Sequence, residues 1–304
     1  MYTERHLAAC AAHHHSCCER SGPMKVVVAM DGSKYGRWAA QWVGRIPFRK
    51  RPGVRALHVV DVAALRAPFV PHPAMIGYEV YLQAERTRLE NRAKEAVAEA
   101  AALLKTLKLR GTVSVAKGHV APAILAHAGG RGGLVALGNR GLGDFDRIFL
   151  GSVSAQVTLH APCSVLVVKQ PPRPIRRILL AVDGSKASDR ALYFLLRDVK
   201  PAKKGGIEVT VLYVLPSFAY SEVAVTGINL AHRYADRLEA AGYRVKEAYM
   251  PGDPADEIMK AARSRRADLV VAGAKGLSAV GRFLLGSVST KLVRHCPCSI
   301  LVVR

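Results

Sequence analysis

Gly138–Val168 reads GNRGLGDFDRIFLGSVSAQVTLHAPCSVLVV, and Gly273–Val303 reads GAKGLSAVGRFLLGSVSTKLVRHCPCSILVV. The two stretches align at a constant offset of 135 positions: Gly141 meets Gly276, Gly151 meets Gly286, His160 meets His295 and Cys163 meets Cys298. Upstream, KVVVAMDGS at Lys25–Ser33 is repeated as RILLAVDGS at Arg177–Ser185. A repeated unit sets the reading of everything else. The chain is a duplication, with QPPRP at Gln170–Pro174 suited to a short stiff connection. The expected division is a disordered leader over residues 1–23, a first domain over 24–170, a linker at 171–174 and a second domain over 175–304.

Within the first copy, short apolar runs alternate with helical patterns. Strands are expected at Lys25–Met30, Val54–Val60, Thr112–Ala116, Leu134–Leu137 and Ser164–Val168. Helices are expected at about Lys34–Arg45, Glu79–Leu109, Ala121–Ala128 and Ser152–His160. The second copy is shorter after its second strand, where a helix is expected at about Thr226–Ala241. There the first copy carries a Pro-rich loop, Arg66–Pro73, and the long helix. Continuous runs of Val, Leu and Ile are the pattern of strands buried on both faces. Alternation with helices predicts an α/β chain, with a parallel sheet and right-handed crossovers in each copy. Such sheets bind ligands outside the carboxyl ends of their strands, where strand order reverses.

The chemistry sits at that edge. Gly138-Asn139-Arg140-Gly141 follows a buried strand, and Gly151-Ser152-Val153-Ser154 opens a helix nine residues after Gly141. Gly273-Ala274-Lys275-Gly276 and Gly286-Ser287-Val288-Ser289 repeat the pattern. Unpaired amides and a positive helix end attract phosphate, and glycines let the main chain come close. Ser152 and Ser287 can cap their helices or donate to a phosphate oxygen. Asp31 and Asp183 close the first strand of each copy, as acceptors for ribose hydroxyls or an adenine amino group, or as ordinary turn residues.

These residues resemble the universal stress protein family in its tandem two-domain form, over nearly everything from Met24 to Arg304. The resemblance is carried by AMDGS and AVDGS, by LHVVD (Leu57–Asp61) and VLYVLP (Val211–Pro216), and by the two Gly-x-x-Gly-x9-Gly-Ser signatures. LHAPCSVLVV and RHCPCSILVV close the copies. It implies two tandem five-stranded parallel-sheet domains of the open, doubly wound, adenine nucleotide alpha hydrolase-like kind. It also implies pairing of the last strands within the chain, Ser164–Val168 with Ser299–Val303. ATP, or AMP or ADP, is the implied cofactor. Asp31 and Val59, with Asp183 and Val214, would contact adenine, Ala29 and Ala181 are further cofactor-binding positions, and the glycine signatures with their serines would hold ribose and phosphates. The first copy departs by carrying GGRGG (Gly129–Gly133) where the second has Ala267-Asp268. It also carries Asp144 and Asp146 where the second has Ser278 and Ala279. Carboxylates near phosphates repel them unless a cation intervenes. The pair reads as solvated loop acids, with Mg2+ bridging as the alternative.

The net charge is +22, spread over both halves: 22 basic and 12 acidic residues from Arg173 onward, 23 and 11 before it. That field favours anionic partners, yet the chain shows no zinc-finger spacing and few aromatics, so nucleic acid is not the expected ligand. No apolar stretch is long enough for a membrane helix, and the expected location is cytoplasmic. Six cysteines in 304 residues are no disulfide scaffold; Cys163, Cys296 and Cys298 read as small buried hydrophobes. The leader holds His13, His14, His15, Cys17 and Cys18, a tract without fixed coordination geometry, and no metal site is expected. P-loop and dinucleotide fingerprints are absent. No catalytic residue is assigned: His160 and His295 sit at helix ends, where the dipole favours them. Three functions stay open: a nucleotide-responsive stress regulator with slow or no hydrolysis and an unidentified protein partner, a slow ATPase or nucleotide-dependent transferase, and a basic nucleic-acid-associated scaffold. A homodimer is compatible with each.

Overall fold

The computed structural model describes residues 22–61, 78–130, 132–140, 150–201, 203–215, 221–276 and 285–304. The His/Cys tract, the Pro-rich loop, and Gly141, Asp144, Asp146, Ser278 and Ala279 lie outside the described residues. The first copy runs β1 (Lys25–Ala29), α1 (Lys34–Arg45), β2 (Gly53–Val60), α2 (Tyr78–Thr106), β3 (Gly111–Lys117), α3 (Val120–His127), β4 (Leu134–Gly138), α4 (Ser152–His160) and β5 (Ser164–Val168). The second runs β6 (Arg177–Val182), α5 (Lys186–Asp198), β7 (Glu208–Leu215), α6 (Ser221–Ala240), β8 (Arg244–Pro251), α7 (Pro254–Ser264), β9 (Leu269–Gly273), α8 (Ser287–His295) and β10 (Ser299–Val303).

Each copy is parallel, in the order 3-2-1-4-5, and the two fuse into one ten-stranded sheet, β3-β2-β1-β4-β5-β10-β9-β6-β7-β8. The joint is the antiparallel pair β5 and β10, with Leu166 opposite Leu301 and Val165 opposite Val302. Side chains alternate across the sheet. Val26, Val28, Leu166 and Val168 join the core under α1, α2, α5 and α6, with Trp42, Leu104, Leu195 and Leu238. Val27, Val165 and Val167 join the opposite core under α3, α4, α7 and α8, with Ile124, Val157, Ile258 and Leu292. Both cores run through both copies, so the central strands are buried on both faces and read as unbroken apolar runs. The outer strands β3 and β8 are largely exposed along their length.

Side chains at the joint cross from one copy to the other. Lys169 Nζ donates to the Cys296 and Leu292 carbonyls at the end of α8, at 2.9 and 3.5 Å. Arg304 does the same for α4, donating to Thr158 O at 2.6 Å and Leu159 O at 3.0 Å. Each copy thus supplies the cation that satisfies the last carbonyls of the other copy's final helix. Asp268, buried before β9, accepts from the backbone N–H of Arg176 and Arg177 and pairs with Arg173 at 2.8 Å. It therefore holds the connection between the copies. In the first copy Gly133 stands at the matching position, packed on Gly129.

Burial depresses the Lys169 ammonium to about 8, with the nearby Cys296 and Cys298 opposing that shift and Arg140 reinforcing it. As pH falls below about 10.5, the unfolded chain takes up this proton before the folded one does. Lys169 therefore adds relative stability above that pH, and the contribution is lost as pH falls from about 10.5 to about 8. Chemical denaturation should show wild type gaining on Lys169→Met by on the order of 3 kcal/mol between those limits. A stability difference that does not change with pH would contradict the burial of a charged Lys169.

Candidate functional site

The carboxyl ends of β1 and β4, and of β6 and β9, lie side by side where strand order reverses. In the second copy the Asp-Gly-Ser turn follows β6. Asp183 Oδ1 accepts from Ser185 N at 3.0 Å, and Gly184 takes a φ of +79°, which favours glycine. Ser185 caps α5 by accepting from Ser188 N at 3.1 Å, and its hydroxyl donates to Lys275 O at 3.3 Å. The turn is thereby tied to the glycine loop. A Cβ at Gly276 would lie 2.7 Å from Asp183 Oδ2, so the loop backbone rests directly on the carboxylate. The neck of the loop is closed by Gly286 N donating to Ala274 O at 2.8 Å, and in the first copy by Gly151 N donating to Asn139 O at the same distance.

The first glycine of each signature answers to packing. A Cβ on Gly138 would sit 2.4 Å from Tyr35 Cβ, and one on Gly273 would sit 2.6 Å from the Ala187 carbonyl carbon. These glycines let the strand end meet the helix that follows β1 or β6.

The serines of each signature divide by position. Ser154 and Ser289 are buried and donate to Gly138 O and Gly273 O at 2.7 Å. These bonds hold the helix to its strand. Ser152 and Ser287 are exposed first-turn residues. The N-caps are Gly151 and Gly286, and neither makes a side-chain cap. Among the described residues, no N-cap side chain accepts from the first-turn amides of α4 and α8, and Ser152 and Ser287 stand in those turns. Val153 and Val288 pack half-buried against the core.

Beside this polar rim runs an apolar wall. Ala29, Val59, Ala116 and Val153 in the first copy, and Ala181, Val214, Met250 and Val288 in the second, are partly exposed and lie against the inner core. Ala116 and Met250 were missed in the sequence: they lie on β3 and β8, far along the chain, and only the parallel register sets them opposite Val59 and Val214.

The copies differ around this shared frame. In the first, Asp31 Oδ1 accepts from Ser33 N at 3.0 Å, and Tyr35 stands edge-on to Trp38. Lys34 lies 5.2 Å and Arg140 6.0 Å from the Tyr35 ring. His58 Nδ1, 2.8 Å from Met30 O, ties the end of β1 to β2. Among the described residues, Asn139 Oδ1 is buried without a hydrogen-bond partner, where the second copy has Ala274. Lys275 takes the place of Arg140. Tyr35, Trp38 and His58 carry no spacing signal; their position beside the Asp-Gly-Ser turn and at the end of β2 is what marks them. Among the described residues, no cluster of three or more His, Cys, Asp or Glu could hold a metal ion, and no helix is long and apolar enough to cross a membrane.

The sequence matches the model of the universal stress protein family twice, over residues 23–169 and 174–304. A Staphylococcus aureus (strain USA300) relative described as a universal stress protein is 35% identical over 142 residues, 42% of this chain and 84% of its own. Among solved structures, a universal stress protein from Archaeoglobus fulgidus superposes with a TM-score of 0.65 at 19% identity, covering 92% of this chain and 98% of that one. A Pseudomonas aeruginosa protein of unknown function gives 0.53 at 14% identity, covering 93% and 92%. At these identities the two structures show the fold.

The two glycines of the second loop should separate in effect. Gly273→Ala drives a Cβ into helix backbone and should cost about 1–3 kcal/mol or more in denaturant unfolding. Among the described residues a Cβ from Gly276→Ala meets a side-chain oxygen of Asp183 and no backbone, and should leave stability within about 1 kcal/mol. Equal losses in the two variants would contradict this division of roles.

Proposed function

Because this chain belongs to the universal stress protein family, we propose that each copy holds one adenine nucleotide at its carboxyl edge, and that the protein is a nucleotide-responsive regulator of stress adaptation. The observation that carries this reading is the seating of Gly276 on Asp183 beside the uncapped start of α8. One small space then offers an acceptor, open backbone amides and a positive helix end. The residues fit an adenine nucleotide. Ala181 and Val214, with Met250, form an apolar wall for the base, and Asp183 is an acceptor for an adenine amino or ribose hydroxyl group. Gly276 and Ser287 offer donors to phosphate, with Gly286 keeping the main chain clear of a side chain beside them and Lys275 at the rim. Ala29, Val59, Asp31, Gly151, Ser152 and Arg140 take these parts in the first copy, together with Gly141.

ATP is the expected form. A bound nucleotide supplies phosphate charge at the start of α8, and occupancy is the signal a protein partner would read. Hydrolysis is expected to be slow or absent. The alternative of a slow ATPase rests on Asp144 and Asp146 with Mg2+. We take Met24–Gln170 and Ile175–Arg304 as the two binding units and place the protein in the cytoplasm, where adenine nucleotides are abundant.

Denaturing the purified protein and quantifying the released nucleotide should give one adenine nucleotide per copy. Asp31→Ala and Asp183→Ala should each leave one per chain. In titration, each should weaken its own site by roughly 10- to 150-fold, the loss of a charged hydrogen bond. Wild-type protein that carries no nucleotide, and binds none at millimolar ATP, would overturn the proposal.

A further inference from the structure

Cys296 and Cys298 bracket Pro297 between the end of α8 and the start of β10, and their sulfurs lie 3.8 Å apart. Both are buried, at 4% and 2% exposure. The turn is held from the other copy: Lys169 Nζ donates to Cys296 O at 2.9 Å, and Gln170 Nε2 donates to Pro297 O. A buried ammonium therefore sits beside a buried pair of thiols at the joint between the copies.

Packing alone does not call for this pair. The matching positions in the first copy are Ala161 and Cys163, both fully buried, so a methyl group fills the place of Cys296. Cys163 is a lone thiol that burial pushes up to about 11, with Arg304 opposing. In the second copy the Cys298 thiol hydrogen-bonds Cys296 and holds it below the usual thiol range, with help from Lys169, while Cys298 is pushed up. One sulfur is thus readied as a nucleophile and the other keeps its proton.

We propose that Cys296 and Cys298 form a redox-active dithiol, an oxidation site at the joint between the copies that takes hydrogen peroxide as oxidant and closes into an intramolecular disulfide. Residues two apart in an extended turn span at most about 7 Å between Cα atoms, within reach of a disulfide, and the sulfurs need to close to about 2.0 Å. The Cys296 thiolate attacks one peroxide oxygen. The O–O bond breaks, and the departing hydroxide takes a proton from the Lys169 ammonium, leaving Cys296 as a sulfenic acid. Cys298 gives its proton to the Lys169 amine and attacks the Cys296 sulfur. The S–S bond forms, the S–O bond breaks, and the second hydroxide leaves as water with that proton. Lys169 recovers from solvent the proton that Cys296 first gave up. Two thiols and one peroxide yield one disulfide and two waters; sulfur is oxidised and the peroxide oxygens are reduced. Peroxide reaches the sulfur when the last turn of α8 opens, so the reaction should be slower than at an exposed thiol.

The test uses the reduced full-length protein in native buffer with millimolar hydrogen peroxide, followed by quenching, denaturation, alkylation and peptide mass analysis. The peptide holding Cys296 and Cys298 should become lighter by two hydrogens and resist alkylation, at least about tenfold faster than Cys163 is modified. Cys298→Ala should abolish the disulfide and leave Cys296 as a sulfenic acid captured by dimedone. Lys169→Met should slow oxidation roughly tenfold at neutral pH, as expected when a thiolate loses its cation. The wild-type result stands whether or not a variant folds. Cys296 and Cys298 alkylating as completely as Cys163, or joined to another cysteine instead of each other, would overturn the proposal.

Discussion

The backbone ladder between β5 and β10 is the contact on which the rest of the molecule depends. Without it each copy would be a five-stranded sheet with an exposed apolar edge strand, which is a template for unwanted pairing. With it, the strands that close each copy become the centre of one sheet, and both cores continue across the joint. The crossing cations Lys169 and Arg304 follow from this geometry. An antiparallel pairing brings the end of each last strand to the foot of the other copy's final helix, where carbonyls need a donor.

The parallel half-sheets then fix where chemistry can occur. Reversal of strand order opens a crevice between β1 and β4 and between β6 and β9. The crevice is shaped by close approach. Gly138 and Gly273 bring the strand end against α1 or α5, and the buried Ser154 and Ser289 lock α4 or α8 to the same strand. The proposed nucleotide site uses the backbone that remains open after this packing. That is why the site shows few side chains of obvious chemistry and many glycines.

The sheet was legible in the sequence because central strands buried on both faces appear as unbroken Val, Leu and Ile runs. Helix α1 was legible because Ser33 caps it directly after the turn. The glycine signature was legible as a pattern, but its physics was not. Spacing cannot tell that Gly138 is demanded by Tyr35, nor that Ser154 turns inward while Ser152 faces out. Ala116 and Met250 join the wall only through parallel register, and the thiol pair acquires Lys169 only through the joint. Asp268 was visible as a difference between the copies, and its buried hold on Arg173 and the connecting backbone explains it.

The central claim is that the open amides at the start of α4 and α8, with the loop ends facing them, are the ligand contacts. Hydrogen–deuterium exchange of the wild-type protein with and without ATP measures those amides directly. Little change is expected along β5 and β10 and at residues 139, 151, 274 and 286, whose amides are already paired, whereas slowed exchange is expected at residues 140, 152–153, 275–276 and 287–288. Unchanged exchange at these positions under saturating ATP, or protection confined to another surface, would contradict it.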